Sequence, residues 1–177
     1  MAPSRHWQAR QEDNPMMKDR RFATHVSIPE AKRDAVVARL NTHLGSTIDL
    51  YSQVKQAHWT LKGPQFFARH ELFDAVAKNL RGQSDTVAER ISTLGGYPLG
   101  TIRMAARTTT LQPFDDGHVS GAHLLRDLIE RFAAHAATAR ETLVLLEQDD
   151  PISADLMTEH LRQIELDLWF FESHFAE

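Results

Sequence analysis

The sequence predicts an all-α protein, a four-helix bundle with one long crossover between its second and third helices. Three observations predict it. Apolar residues recur at steps of three and four over four long stretches, the signature of amphipathic helices. No stretch alternates with the two-residue period of a strand, and no internal repeat is present. Two of the three connections are tight, whereas residues 97 to about 119 form a link far longer than a bundle hairpin needs.

Residues 1–26 are polar, rich in Arg, Gln and Asp, and without periodicity, so they read as a mobile tail. Order is expected from Ser27 onward, because Ser27 and Glu30 have the spacing of a capping box and Pro29 is tolerated in a first helical turn. Val36, Leu40, Leu44, Thr47, Tyr51, Val54 and His58 then mark one face of a long helix that ends at Gly63-Pro64. A second helix carries Phe66, Phe73, Ala77, Leu80, Val87, Ile91 and Leu94 on its stripe, and Gly95-Gly96 stop it. The crossover follows, with a short extra helix expected near Ile102 to Arg107. A third long helix runs from about Ser120 to Gln148 through Leu124, Leu128, Phe132, Ala136, Ala139, Leu143 and Leu146. Asp150-Pro151 open the fourth, lined by Met157, Leu161, Ile164, Leu168, Phe171 and Phe175. One crossover in a four-helix bundle is the ferritin-like topology. The expected organisation is a tail over residues 1–26 and one domain over 27–177.

Composition narrows the chemistry. The 177 residues contain no cysteine, which removes disulfides and thiolate metal sites and suits a reducing cytoplasm. No segment has the apolar length of a membrane span, and the N-terminus lacks the apolar core of a secretory signal. A cytoplasmic protein without a membrane partner is expected. The net charge of −4 is uneven. Arg5, Arg10, Lys18, Arg20 and Arg21 outnumber Glu12, Asp13 and Asp19, so a weakly basic arm precedes an acidic body.

Bundles of this topology often hold two metal ions between helix glutamates and a Glu-x-x-His pair on each of two helices. This chain has no Glu-x-x-His, so a site inside one bundle is not expected. The second helix offers another arrangement. His70 and Asp74 lie one turn apart on one face, as do Asp85 and Glu89, and the two pairs share nearly the same face. Eleven residues at about 1.5 Å each put Asp74 and Asp85 roughly 16 Å apart. Metal–ligand bonds are about 2.0–2.2 Å, so the pairs cannot grip one ion within one chain. An antiparallel copy of the helix solves this. A two-fold axis level with Asn79 and Leu80 brings His70 and Asp74 of one chain opposite Asp85 and Glu89 of the other, making two equivalent sites. His58, just before the Gly63-Pro64 turn, completes the first half. Imidazole with carboxylate suits Fe(II), and zinc competes for the same ligands.

The run Lys55-Gln56-Ala57-His58-Trp59, then Gly63, Phe66, His70-Glu71, Phe73-Asp74, and Asp85 to Arg90 ending in Leu94-Gly95-Gly96, resembles the signature of the Dps family. So does Leu168 to Ser173. The resemblance covers roughly residues 27–175, and its His-x11-His-x3-Asp-x10-Asp-x3-Glu spacing is highly specific. It implies that His58, His70 and Asp74 come from one subunit and Asp85 and Glu89 from its two-fold mate. It further implies a hollow dodecamer, Fe(II) oxidation preferentially by hydrogen peroxide, a ferric mineral stored inside, and in many members association with DNA and hence the nucleoid.

Other residues have two readings. Trp59 is by default a core or interface aromatic; the family reading makes it a radical sink near the iron. Glu147, Asp149, Asp150 and Asp155 sit where helix caps and solvated loop acids are ordinary, yet a ring of them around a three-fold pore would draw Fe(II) inward. The basic arm offers little phosphate neutralisation per chain, although an oligomer would display many arms at once. The rival expectation is a DNA-compacting nucleoid protein with little ferroxidase activity. His43, His118 and His135 have no partners visible in the sequence.

Overall fold

The computed structural model describes residues 20–117 and 119–175, so most of the expected tail, together with His118, lies outside the described residues. Five helices are present among them: α1 (Glu30–Thr60), α2 (Phe66–Thr93), α3 (Ile102–Thr108), α4 (Gly121–Asp149) and α5 (Pro151–Glu172). No strand forms among the described residues; one isolated bridge ties Lys62 to Ser120. α1 packs along α2 and α4 along α5, with α1 against α4 and α2 against α5 closing the bundle.

Most of the periodic positions form the core, although Phe66 and Phe175, at the ends of their stripes, are exposed. Val36, Leu40, Leu44, Leu50 and Val54 from α1 meet Phe73, Leu80, Val87 and Ile91 from α2 and the leucines of α4, all buried. Phe171 closes this core edge-on to two other rings, Phe73 at 5.9 Å and Phe132 at 5.1 Å, the geometry that aromatic quadrupoles favour.

Two details at the start of the bundle differ from expectation. The capping box does not form: Pro29 is the N-cap residue, no side chain caps the helix, and Glu30 is its first residue. Glu30 is instead taken by Arg21 at 2.6 Å, and Arg21 also reaches Asp34 at 2.8 Å. The chain is therefore docked before residue 27. The Phe22 amide donates to the Gly95 carbonyl at 2.9 Å, and the Thr24 hydroxyl donates to the Thr93 carbonyl. Composition alone cannot reveal this, because the anchors are backbone groups exposed at the end of α2.

α2 ends as the two glycines imply. Gly95 has φ 78°, and the Gly95 and Gly96 amides donate to the Ser92 and Ile91 carbonyls, satisfying the last turn. Beyond it, polar residues of the amphipathic α1 hold the crossover. Asn41 bonds the backbone of Tyr97 and Leu99, Asp49 accepts from the Thr109 hydroxyl, and Gln53 donates to the Gln112 carbonyl. Gly45 lets α3 lie close, since a Cβ there would collide with the Thr108 hydroxyl. These contacts tie residues 97–112 of the long link to α1.

Candidate metal centre

The Gly63-Pro64 turn folds α1 back along α2 and brings His58 and His70 together. Their rings stack with centroids 3.7 Å apart, and Phe66 covers His70 at 5.2 Å. His58 Nδ1 lies 3.1 Å from the His70 carbonyl. A carbonyl only accepts, so Nδ1 carries the proton and Nε2 keeps its lone pair for a metal. Nδ1 of His70 is buried without a hydrogen-bond partner among the described residues. Such an orphaned nitrogen is costly unless something polar meets it.

Asp74 stands one turn beyond His70, with Oδ1 4.0 Å from His58 Nδ1. Lys55 reaches it at 2.8 Å from α1. Through that hydrogen bond, and then through its charge, Lys55 holds the Asp74 carboxyl below the usual carboxylate range, so Asp74 is ionised at neutral pH. The same ammonium lies 5.6 Å from the centre of the Trp59 ring. Trp59 is 67% exposed and so is no core residue of this chain.

His58, His70 and Asp74 are therefore gathered, and Asp85 and Glu89 are not. α2 is one uninterrupted helix from Phe66 to Thr93. The two pairs remain about three turns apart along it. Both distal carboxylates are exposed, with no ion pair among the described residues. At the level expected for a two-fold axis, Leu80 is buried and Asn79 donates to Asp167, so both turn into their own bundle. Lys78 and Arg81, both exposed, hold the face of the candidate ligands there.

The acids between α4 and α5 divide in two. Asp150 is only 1% exposed and pairs with Arg90 at 2.5 Å, with the Ser153 hydroxyl also donating to it. Burial opposes its charge, but Ser153 and Arg90 outweigh that and hold its pKa low. Asp149 is bound by Arg39 at 2.6 Å. Asp150 thus joins helices within the chain and is unsuited to guide cations through a pore; Asp149 is already neutralised. Glu147 and Asp155 are exposed.

Sequence reasoning missed a histidine cluster inside the bundle. His43 of α1, His135 of α4 and His160 of α5 are all buried. His43 Nε2 lies 3.3 Å from His160 Nδ1, His43 stacks on His135 at 4.8 Å, and Thr86 and Thr47 bond the outer ring nitrogens of His160 and His135. Burial drives all three toward the neutral form, and their proximity adds to it for His43 and His135, which is brought to about 4 like His160. Elsewhere in the bundle, burial pushes Asp167 up to about 6 against hydrogen bonds from Gln163 and Asn79. Helical phase could have flagged the inward faces of His43 and His135; that they meet could not be read from spacing.

Among the described residues no helix is long and apolar enough to cross a membrane. Residues 37–177 match the model of the ferritin-like domain. The DNA protection during starvation protein of Agrobacterium fabrum is 38% identical over 155 residues, covering 87% of this chain and 96% of that one. Its namesake from Mycolicibacterium smegmatis is 32% identical, covering 85% and 84%. Among solved structures, Mycobacterium smegmatis Dps in its tetragonal form superposes with a TM-score of 0.84 at 29% identity, over 88% of this chain and 94% of that one. DpsA14 from Streptomyces coelicolor gives 0.85 at 26%, over 89% and 94%.

Proposed function

The chain belongs to the Dps family of ferritin-like proteins, and on that premise we propose that it oxidises Fe(II) at di-iron sites shared between two copies of itself, with hydrogen peroxide as the preferred oxidant. The ferric product is stored inside a hollow shell of twelve chains, in the cytoplasm and close to the nucleoid. Fe(II) is the substrate. His58, His70 and Asp74 bind it from one chain, and Asp85 and Glu89 from the neighbour, with Zn(II) a competitor for the same ligands.

One observation carries this reading. A preset His58 nitrogen, the stacked His70 and an ionised Asp74 converge at one end of α2, while two unpaired carboxylates wait at the other. Each half is an incomplete ligand set, and an antiparallel copy completes both. In the reaction each of two Fe(II) ions gives up one electron; the O–O bond of one peroxide breaks and, with two protons, two waters leave. Removing Fe(II) and peroxide together suppresses hydroxyl-radical chemistry, so DNA is protected without being touched. Trp59, beside His58 and exposed, is placed to take stray oxidising equivalents. Glu147 and Asp155 remain the candidates for drawing Fe(II) inward.

An anaerobic Fe(II) titration of the purified, sized oligomer, followed by peroxide, tests the proposal. Rapid Fe(II) loss is expected, and His70→Ala with Asp74→Ala should abolish it in an intact assembly. Unchanged rates would reject the site. The basic arm supports a second, weaker role in DNA contact, which gel shifts at low and moderate salt would reveal, since phosphate-driven binding collapses steeply with salt.

A further inference from the structure

We propose that Asp115, His123 and Asp127 form a second divalent-metal site, separate from the centre at His58, that takes a transition-metal dication such as Zn(II) or Fe(II). Asp115 lies at the end of the crossover. Its Oδ1 accepts from the Gly117 amide at 2.9 Å, while Oδ2 lies 3.8 Å from His123 Nε2. His123 and Asp127 stand one turn apart on α4, and Nε2 to Asp127 Oδ2 is 3.6 Å. One donor atom from each residue fits within 4.8 Å of the other two.

These separations are too long for direct hydrogen bonds. They are right for atoms sharing an ion, because two ligands each about 2.1 Å from a metal and about 110–120° apart sit roughly 3.5 Å from each other. A second observation points the same way. Asp127 is only 16% exposed at its side chain, and its Oδ2 is sealed from solvent with no hydrogen-bond partner among the described residues. A carboxylate oxygen in that position is costly unless a cation or proton meets it.

The donor set selects the ligand. Imidazole disfavours Mg(II) and Ca(II), which prefer all-oxygen shells, and the absence of sulfur disfavours Cu(I). Three protein ligands on a partly open surface leave room for water, so the ion exchanges. The bridge between Lys62 and Ser120 places the start of α4 beside the turn that carries His58 and His70. An ion held here would also clip the end of the crossover to α4. Neither the geometry nor the chemistry depends on the iron-oxidation reading.

Calorimetric titration of the full-length, metal-stripped oligomer with Zn(II) tests the site. Wild type should bind one more equivalent per chain than either His123→Ala or the nearly isosteric Asp127→Asn. Retention of that equivalent by either variant overturns the proposal. His70→Ala with Asp74→Ala should lose interface ions and keep this one, so the two sites fail separately. The rapid phase of Fe(II) oxidation should survive in Asp127→Asn.

Discussion

Lys55 Nζ lies 2.8 Å from Oδ1 of Asp74, so a cation binding at the proposed site must compete with an ammonium for that carboxylate. Removing the ammonium should help metal and let the Asp74 pKa rise toward its ordinary range. Lys55→Met is expected to bind Co(II) a few-fold more tightly at neutral pH, the scale of a partly exposed ion pair. Competitive titration checks this; equal or weaker binding would show that Lys55 does not oppose the metal.

The shared centre makes a sharper prediction. A chain with His70→Ala and Asp74→Ala and a chain with Asp85→Ala and Glu89→Ala should each be inactive alone. In a mixed dimer one of the two sites at the shared interface carries both lesions and the other neither. Random co-assembly should therefore restore about a quarter of the wild-type sites. Stopped-flow Fe(II) oxidation of co-expressed chains measures it. No recovery in mixed assemblies would place the centre within one chain.

The acids between α4 and α5 should separate by role. Asp150→Ala leaves Arg90 without its buried partner and is expected to cost about 3 kcal/mol. Glu147→Gln and Asp155→Asn, at exposed positions, should leave thermal stability nearly unchanged while slowing iron uptake. Thermal denaturation beside uptake kinetics would show whether one set of residues does both.

Acid should weaken the fold through the histidine cluster. His135 and His160 titrate near 4 when folded, against an ordinary value of 6.5, and His43 is lowered as well. The unfolded chain thus binds more protons between those values, and stability falls as pH drops from about 6.5 to about 4. At about 1.4 kcal/mol per pKa unit, one such histidine contributes roughly 3 kcal/mol. Asp167 acts oppositely, gaining stability as pH falls through about 6 toward its ordinary value, but it is one group against three. His135→Leu should flatten the acid limb of a urea-midpoint profile; an unaltered slope would exonerate the cluster.

Truncation should locate where the tail becomes structural. Deleting residues 1–19 should spare both assembly and oxidation. Extending the deletion through residue 26 removes the Arg21 pairs and the Phe22 bond to Gly95, and should lower the melting temperature by several degrees. Equal melting of the two would show those anchors to be idle.

Helical periodicity, with glycine and proline at the helix ends, placed the four long helices, because burial and hydrogen bonding along a helix are local and leave a residue-by-residue trace. The same locality made the candidate ligands legible: His70, Asp74, Asp85 and Glu89 share a face by arithmetic, and their separation forbids a one-chain site. Tertiary structure decided what spacing cannot express. Only packing shows that His58 and His70 stack, that Asp150 is sealed against Arg90, that residues 20–26 already belong to the bundle, and that His43, His135 and His160 meet in its interior. Each joins residues distant in sequence, and such contacts follow from how helices lie against one another.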